Sequence, residues 1–128
     1  MAYQVIWDGK GVHISFKGHF TVDDYIQSNN EIYGDSRIDN IKYIIKDMAE
    51  IEVFDVDTQD GLFLPVALDK GASRYLQRLK VALVATSTET RQIWQDYIKW
   101  SYRLRSRWTF QLFFELENAK RWLEEGDE

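Results

Sequence analysis

Asp55-Val56-Asp57-Thr58 is the segment whose residue types come closest to a reaction centre. An Asp-x-Asp pair opens phosphoryl-transfer enzymes that use an aspartyl nucleophile and Mg²⁺, but that chemistry needs further groups to hold metal and phosphate. No Gly-rich phosphate cradle lies nearby, and the chain is short for that class. A calcium loop fails on position: counted from Asp55, Gly61 stands one place late and Val66 occupies the place of the bidentate Glu. His13 and His19 are the only imidazoles. Zinc takes at least three protein ligands, and although Asp23 and Asp24 are near in sequence, no spacing demands a site, so both histidines read as solvent-facing. Gly71-Ala72-Ser73-Arg74-Tyr75 lacks the second Gly of a nucleophile elbow, which leaves Ser–His–Asp catalysis without a frame. The absence of Cys excludes disulfides, thiol catalysis and Cys-based metal sites. No cofactor and no metal is expected.

A binding chemistry is better represented. Lys99-Trp100-Ser101-Tyr102-Arg103-Leu104-Arg105-Ser106-Arg107-Trp108 interleaves four cations with aromatic rings. Cations at a helix C-terminus offset the negative end of the dipole by about 0.3–1 kcal/mol each, a need that four exceed. Arg103, Arg105 and Arg107 have the forked geometry for phosphate or carboxylate, and Trp100 with Lys99 beside it could line the apolar part of an anionic ligand.

The 128 residues must position these groups within one domain, 1–128, given the usual domain size of about 100–150 residues. Hydrophobic residues at 45%, with one Pro and seven Gly, describe an ordinary globular chain. No apolar run approaches the roughly 18 residues of a membrane span, and no leader is visible at Met1–Asp8, so a soluble cytoplasmic protein without membrane insertion is expected. Aromatic residues at 15%, five of them Trp, read first as a well-filled core and second as a ring-lined pocket. Residues 1–69 carry 5 basic and 13 acidic side chains, residues 70–108 carry 9 and 2, and residues 109–128 carry 2 and 6. A general nucleic-acid binder would be basic overall, so no nucleic acid is expected, while a local anion site is compatible.

Val5 and Trp7, the turn Asp8-Gly9-Lys10-Gly11, and Val12, Ile14 and Phe16 predict an antiparallel hairpin. Thr21 with Asp24 resembles a capping box, and Val22, Tyr25, Ile26, Asn29 and Tyr33 continue at helical spacing until Gly34. Lys42–Asp47 is a third strand, followed by an acidic stretch over 48–60. A second helix is expected after Pro65, running toward Tyr75. Lys80–Thr86 reads as a buried strand, Thr86 and Glu89 as the start of a long helix carrying Ile93, Tyr97, Trp100 and Leu104 on one face, and Trp108–Phe114 as strand five. Leu116, Ala119, Lys120 and Leu123 mark a closing helix. The order predicts an α/β fold: a five-stranded mixed sheet, first strand antiparallel and the rest parallel, with four helices in a right-handed βα superhelix. Alternation of His13, Ser15, Lys17, of Lys42 and Lys46, and of Gln111 against apolar residues predicts helices mainly on one face. On the other, Ile6, Ile44, Val84 and Phe113 would form an apolar stripe suited to homodimerisation.

That order, with Ile44-Ile45-Lys46-Asp47-Met48 leading to Val53-Phe54-Asp55, resembles the STAS superfamily of sulfate transporters and anti-sigma-factor antagonists. The closing Phe113-Phe114-Glu115-Leu116-Glu117-Asn118-Ala119-Lys120-Arg121-Trp122-Leu123 is similar to the ending of short stand-alone bacterial STAS-like proteins, and the likeness spans residues 3 to 123. In regulatory members an Asp ends strand three, and about eight residues later an Asp-Ser pair opens the next helix, where a partner kinase phosphorylates the Ser. Asp47 and Asp55 match the two Asp positions and Val56, without a hydroxyl, takes the Ser position; Thr58 lies two residues on and reads as a helix N-cap. The resemblance implies a partner or switch loop of Asp47, Asp55, Asp57 and Thr58. The chain thus reads as a non-enzymatic, regulatory STAS-like domain with a protein partner, the alternative being a carrier whose aromatic pocket takes a small apolar or anionic ligand.

Overall fold

The computed structural model of the chain describes residues 3–55, 69 and 79–125. β1 (Tyr3–Trp7) and β2 (Gly11–Thr21) form the expected antiparallel hairpin, with Trp7 opposite Val12 and Tyr3 opposite Phe16. The Asp8 carboxylate closes the turn by accepting the backbone N–H groups of Lys10 and Gly11 at 2.9 and 2.8 Å, and Gly9 supplies the positive φ of 88°. α1 (Val22–Tyr33) starts on a complete capping box: the Thr21 hydroxyl accepts the Asp24 N–H at 3.2 Å while the Asp24 carboxylate accepts the Thr21 N–H at 3.1 Å. A short 3₁₀ helix (Ser36–Asn40) leads into β3 (Tyr43–Asp55). β4 (Lys80–Val84), α2 (Thr88–Arg103), β5 (Thr109–Phe113) and α3 (Leu116–Glu125) complete the order. The cap of α2 is Ser87, one place beyond the expected Thr86: its hydroxyl accepts the Thr90 N–H at 3.1 Å.

The sheet order is β1-β2-β3-β4-β5, with β1 antiparallel and every later pair parallel, as the element order predicts. Three α-helices are present among the described residues. The helix expected after Pro65 falls outside them, save that Asp69 is helical.

The helices do not keep to one face, contrary to the prediction from alternation. Val12, Ile14, Phe16, Ile44, Val81, Leu83 and Phe110 lie under α1 and α2 in the main core. There Trp94 and Tyr97 meet edge to face at 5.1 Å and Tyr97 meets Phe110 at 5.6 Å. These rings therefore fill a core. On the opposite face, Ile45, Ala82 and Val84 pack against Ala119 and Leu123 of α3, with Phe113 on Trp122 at 5.6 Å. Leu116, Ala119 and Leu123 recur at i, i+3 and i+7, an apolar stripe that has to find a surface, and Ala82 provides a low one.

This arrangement removes the expected dimer stripe. Ile44 pairs with Val12 and Val81 on the α1/α2 side and is wholly buried, whereas Val84 and Phe113 lie on the other face and Val84 is covered by α3. Strand side chains alternate, so residue 44 and residues 45 and 47 cannot share a face. Only Ile6, at 48% relative accessibility, stays open among the four large enough to count as exposed. The roof is partial, since Gln111 on the α3 side remains exposed. The acidic stretch after Asp47 begins as strand: β3 runs on to Asp55, paired with β2 as far as Thr21 across two register irregularities.

Candidate functional site

Alternation placed Lys46 with solvent, yet it is fully buried, on the same side as Ile44, and its ammonium lies 3.3 Å from the Asp69 carboxylate, itself 1% accessible. Three phenols converge on that carboxylate. Tyr25 donates to Oδ2 at 2.8 Å, Tyr97 donates to the same oxygen, and Tyr33 donates to Oδ1 at 2.7 Å. Asn29 adds its side-chain N–H to Oδ1 at 3.0 Å. Lys46 further donates to the Tyr25 hydroxyl and sits 4.2 Å from the Tyr25 ring centroid. Burial lowers the Lys46 ammonium's pKa, against the opposing pull of Asp69. Burial first, then the Asp69 charge, pushes the phenols of Tyr25, Tyr33 and Tyr97 well above the usual tyrosine value. Neutral phenols donating to a carboxylate beside an ammonium satisfy the charges of the pair.

One sequence signal for this cluster was in view. Tyr25, Asn29 and Tyr33 recur at i, i+4 and i+8 on the buried face of α1, a row of hydrogen-bonding groups that needs partners once it is buried. Nothing in the local pattern named Lys46 or Asp69 as those partners.

On the α3 side, the uncovered strip of sheet forms a groove of about 500 Å³ lined by Ile6, His13, Tyr43 and Ile45 on the sheet and by Lys120 and Glu124 on α3, with Lys10 at its rim. The His13 Nε2 in this lining lies 3.4 Å from the Asp47 carboxylate. Burial pushes that carboxyl up, but the His13 side chain and the Ala49 N–H, which reaches Asp47 at 3.0 Å, outweigh it and hold the pKa below the usual value. Of the switch loop implied by the STAS resemblance, Asp47 and Asp55 both stand on β3. They stand eight positions apart along the strand, on the order of 25 Å, so they do not share a site. Asp55 is exposed at the strand end, 3.2 Å from His19. Val56, Asp57 and Thr58 lie outside the described residues.

The cationic segment holds the last turn of α2 and the link to β5, and Lys99, Trp100, Arg103, Arg105 and Arg107 are all exposed. The Arg103 guanidinium lies 5.5 Å from the Trp100 ring centroid, and Trp100 and Tyr102 keep 45% and 47% of their surface open. The Tyr102 hydroxyl accepts the Phe110 N–H at 3.1 Å, tying the patch to the edge strand. Arg105 has φ of 61°, the left-handed position that follows a helix, and the N–H groups of Arg105 and Ser106 each donate at 3.0 Å to the carbonyls of Tyr102 and Ser101. A side chain costs energy there, so Arg105→Gly is expected to raise the unfolding free energy by about 0.5–1 kcal/mol. Urea denaturation checks this, and a loss of stability would show that the arginine side chain itself braces the helix end.

Among the described residues no helix is long and apolar enough to cross a membrane. No protein-family model matches the sequence, and no curated protein matches it. Solved structures do. The anti-sigma-factor antagonist SpoIIAA in its unphosphorylated form is similar at a TM-score of 0.62 and 18% identity, with 97% of each chain covered. An uncharacterised DUF3478-family protein from Shewanella loihica with a SpoIIAA-like fold is similar at 0.60 and 14%, covering 95% of this chain and 92% of that one. The fold is STAS-like.

Proposed function

We propose that this chain is a non-enzymatic, regulatory STAS-like domain that binds a protein partner through the exposed cation–aromatic surface at the end of α2. The observation that carries the reading is the open Trp100–Arg103 pair with Tyr102 beside it. Trp, Tyr and Arg are the side chains in which interface energy concentrates, because each supplies area and directed polar contacts together. A basic surface on a chain of net charge −5 fits an acidic partner surface. The likeness to an anti-sigma-factor antagonist supports a role in which binding is the output. Val56 at the position of the phosphorylated Ser leaves that control to something other than a hydroxyl at residue 56.

The groove of about 500 Å³ favours a second reading, a carrier for a small apolar or anionic ligand, since that volume lies within the usual range of ligand pockets. Native mass spectrometry of the protein isolated from its own cells separates the two. The interaction reading expects a defined protein complex whose abundance drops at least tenfold in Trp100→Ala/Arg103→Ala. A constant small-molecule adduct on an otherwise free chain, unaffected by those substitutions, would replace it with the carrier.

A further inference from the structure

The buried donors around Asp69 hold more than an ion pair. Two side-chain groups reach Oδ1, from Tyr33 and Asn29, and three reach Oδ2, from Tyr25, Tyr97 and Lys46. Five donors are at least as many as a carboxylate can accept, with about four lone-pair positions over two oxygens. The donors come from three elements that do not carry Asp69: Tyr25, Asn29 and Tyr33 from α1, Lys46 from β3 and Tyr97 from α2. Their rings are fixed by the core, with Tyr25 against Trp94 at 5.6 Å and Tyr97 between Trp94 and Phe110. The donor set is thus positioned by packing that is independent of the group it receives.

We infer that Lys46, Tyr25, Tyr33, Tyr97 and Asn29 constitute a binding site for a carboxylate, occupied in this state by Asp69 as an internal ligand, and that a small free carboxylate fills it when the Asp69 side chain is cut back. The inference is independent of the partner surface on α2. Removal of the Asp69 carboxylate strands the Lys46 ammonium at 0% accessibility among three neutral phenols. A buried cation without its counterion is strongly unfavourable, so an anion that restores the charge and both sets of hydrogen bonds regains that loss. The divided donor set, two groups on one oxygen and three on the other, selects a planar two-oxygen anion over a spherical halide.

The test is thermal unfolding of the full chain carrying Asp69→Ala or Asp69→Gly, titrated with sodium formate, acetate or chloride at constant ionic strength. Ala retains the Cβ and leaves a formate-shaped gap, whereas Gly leaves one the size of acetate. The expected result is a rise in Tm that follows the logarithm of the carboxylate concentration and reaches about 5 °C at ten times the dissociation constant. Formate is the better ligand for the Ala variant and acetate for the Gly variant. Chloride has no such effect, wild type does not respond, and Lys46→Met in the Asp69→Ala background abolishes the response. If Asp69→Ala is unfolded in plain buffer, far-UV circular dichroism against formate is the readout, because a ligand specific to the folded state drives folding. Responses to formate and acetate no larger than to chloride, or equal in wild type, would overturn the assignment, as would a variant that no carboxylate restores.

Discussion

Lys46→Met lowers the unfolding free energy by about 3–5 kcal/mol, the largest single effect expected in this molecule, because it leaves the Asp69 carboxylate buried without its cation. Methionine matches the lysine stem in length and apolar character, so the loss reports the charge and not a cavity. Lys46→Met combined with Asp69→Asn costs less than the sum of the single changes, since the second removes the charge that the first strands while its side-chain carbonyl still accepts from tyrosine. Urea unfolding followed by tryptophan fluorescence measures all three variants. A cost below about 1 kcal/mol for Lys46→Met would mean that the ammonium and carboxylate contribute little to each other in the folded chain.

Alkali is expected to unfold the protein steeply, through the same cluster. The phenols of Tyr25, Tyr33 and Tyr97 are raised well above 10, by burial and then by Asp69. Below pH 10 folded and unfolded chains both hold these protons, and the contribution to stability is complete. Above pH 10 the unfolded chain releases them while the folded one keeps them, so stability falls by about 1.4 kcal/mol per pH unit for each phenol, or about 4 for three. Lys46 acts the other way. Its lowered pKa means that the folded chain holds fewer protons than the unfolded one up to the ordinary lysine value, about 10.4, and stability gains over that interval. The steepest fall therefore begins above about pH 10.5. Absorbance at 295 nm should show at least three of the seven tyrosines ionising only together with the loss of circular dichroism. Full ionisation ahead of unfolding would contradict the sealed arrangement.

The parts of the fold that were legible in the sequence rest on local signals. Asp8-Gly9-Lys10-Gly11 specifies a turn, Thr21 and Asp24 a capping box, and Lys80–Thr86 a buried strand, which the structure shortens to Lys80–Val84 and places in the interior of the sheet. These signals need no knowledge of distant residues. The direction of β3 does. Ile44, Lys46 and Met48 form one row of the strand and Tyr43, Ile45 and Asp47 the other, so each row mixes apolar with charged side chains and alternation cannot tell core from solvent. The wrong choice for Lys46 carried with it the apolar stripe and the one-sided roof. Lys46 faces the core because Asp69, 23 positions away, supplies its countercharge.

The extension of β3 was hidden for a related reason. Glu50, Glu52 and Asp55 gave the stretch the character of a solvated loop, while Ile51 and Val53 between them keep a strand's alternation. Pairing with Lys17–Thr21 of β2, including the contact between Lys17 and Glu50 at 3.4 Å, settles it as strand. In the cationic segment the helical spacing groups Trp100 with Ile93, Tyr97 and Leu104, yet Ile93 and Tyr97 are buried while Trp100 is exposed and meets Arg103 at i, i+3. The left-handed Arg105 was not expected, because the position after a helix ordinarily takes Gly.

Photo-crosslinking in the native cells tests the central claim most directly, with a benzoylphenylalanine placed at position 100 on α2 or, in a separate variant, at position 124 in the groove. A discrete protein adduct from position 100, absent from position 124 and reduced at least tenfold by Arg103→Ala, is the result predicted. Adducts of equal yield from both positions, or an adduct from position 100 that is indifferent to Arg103, would contradict it.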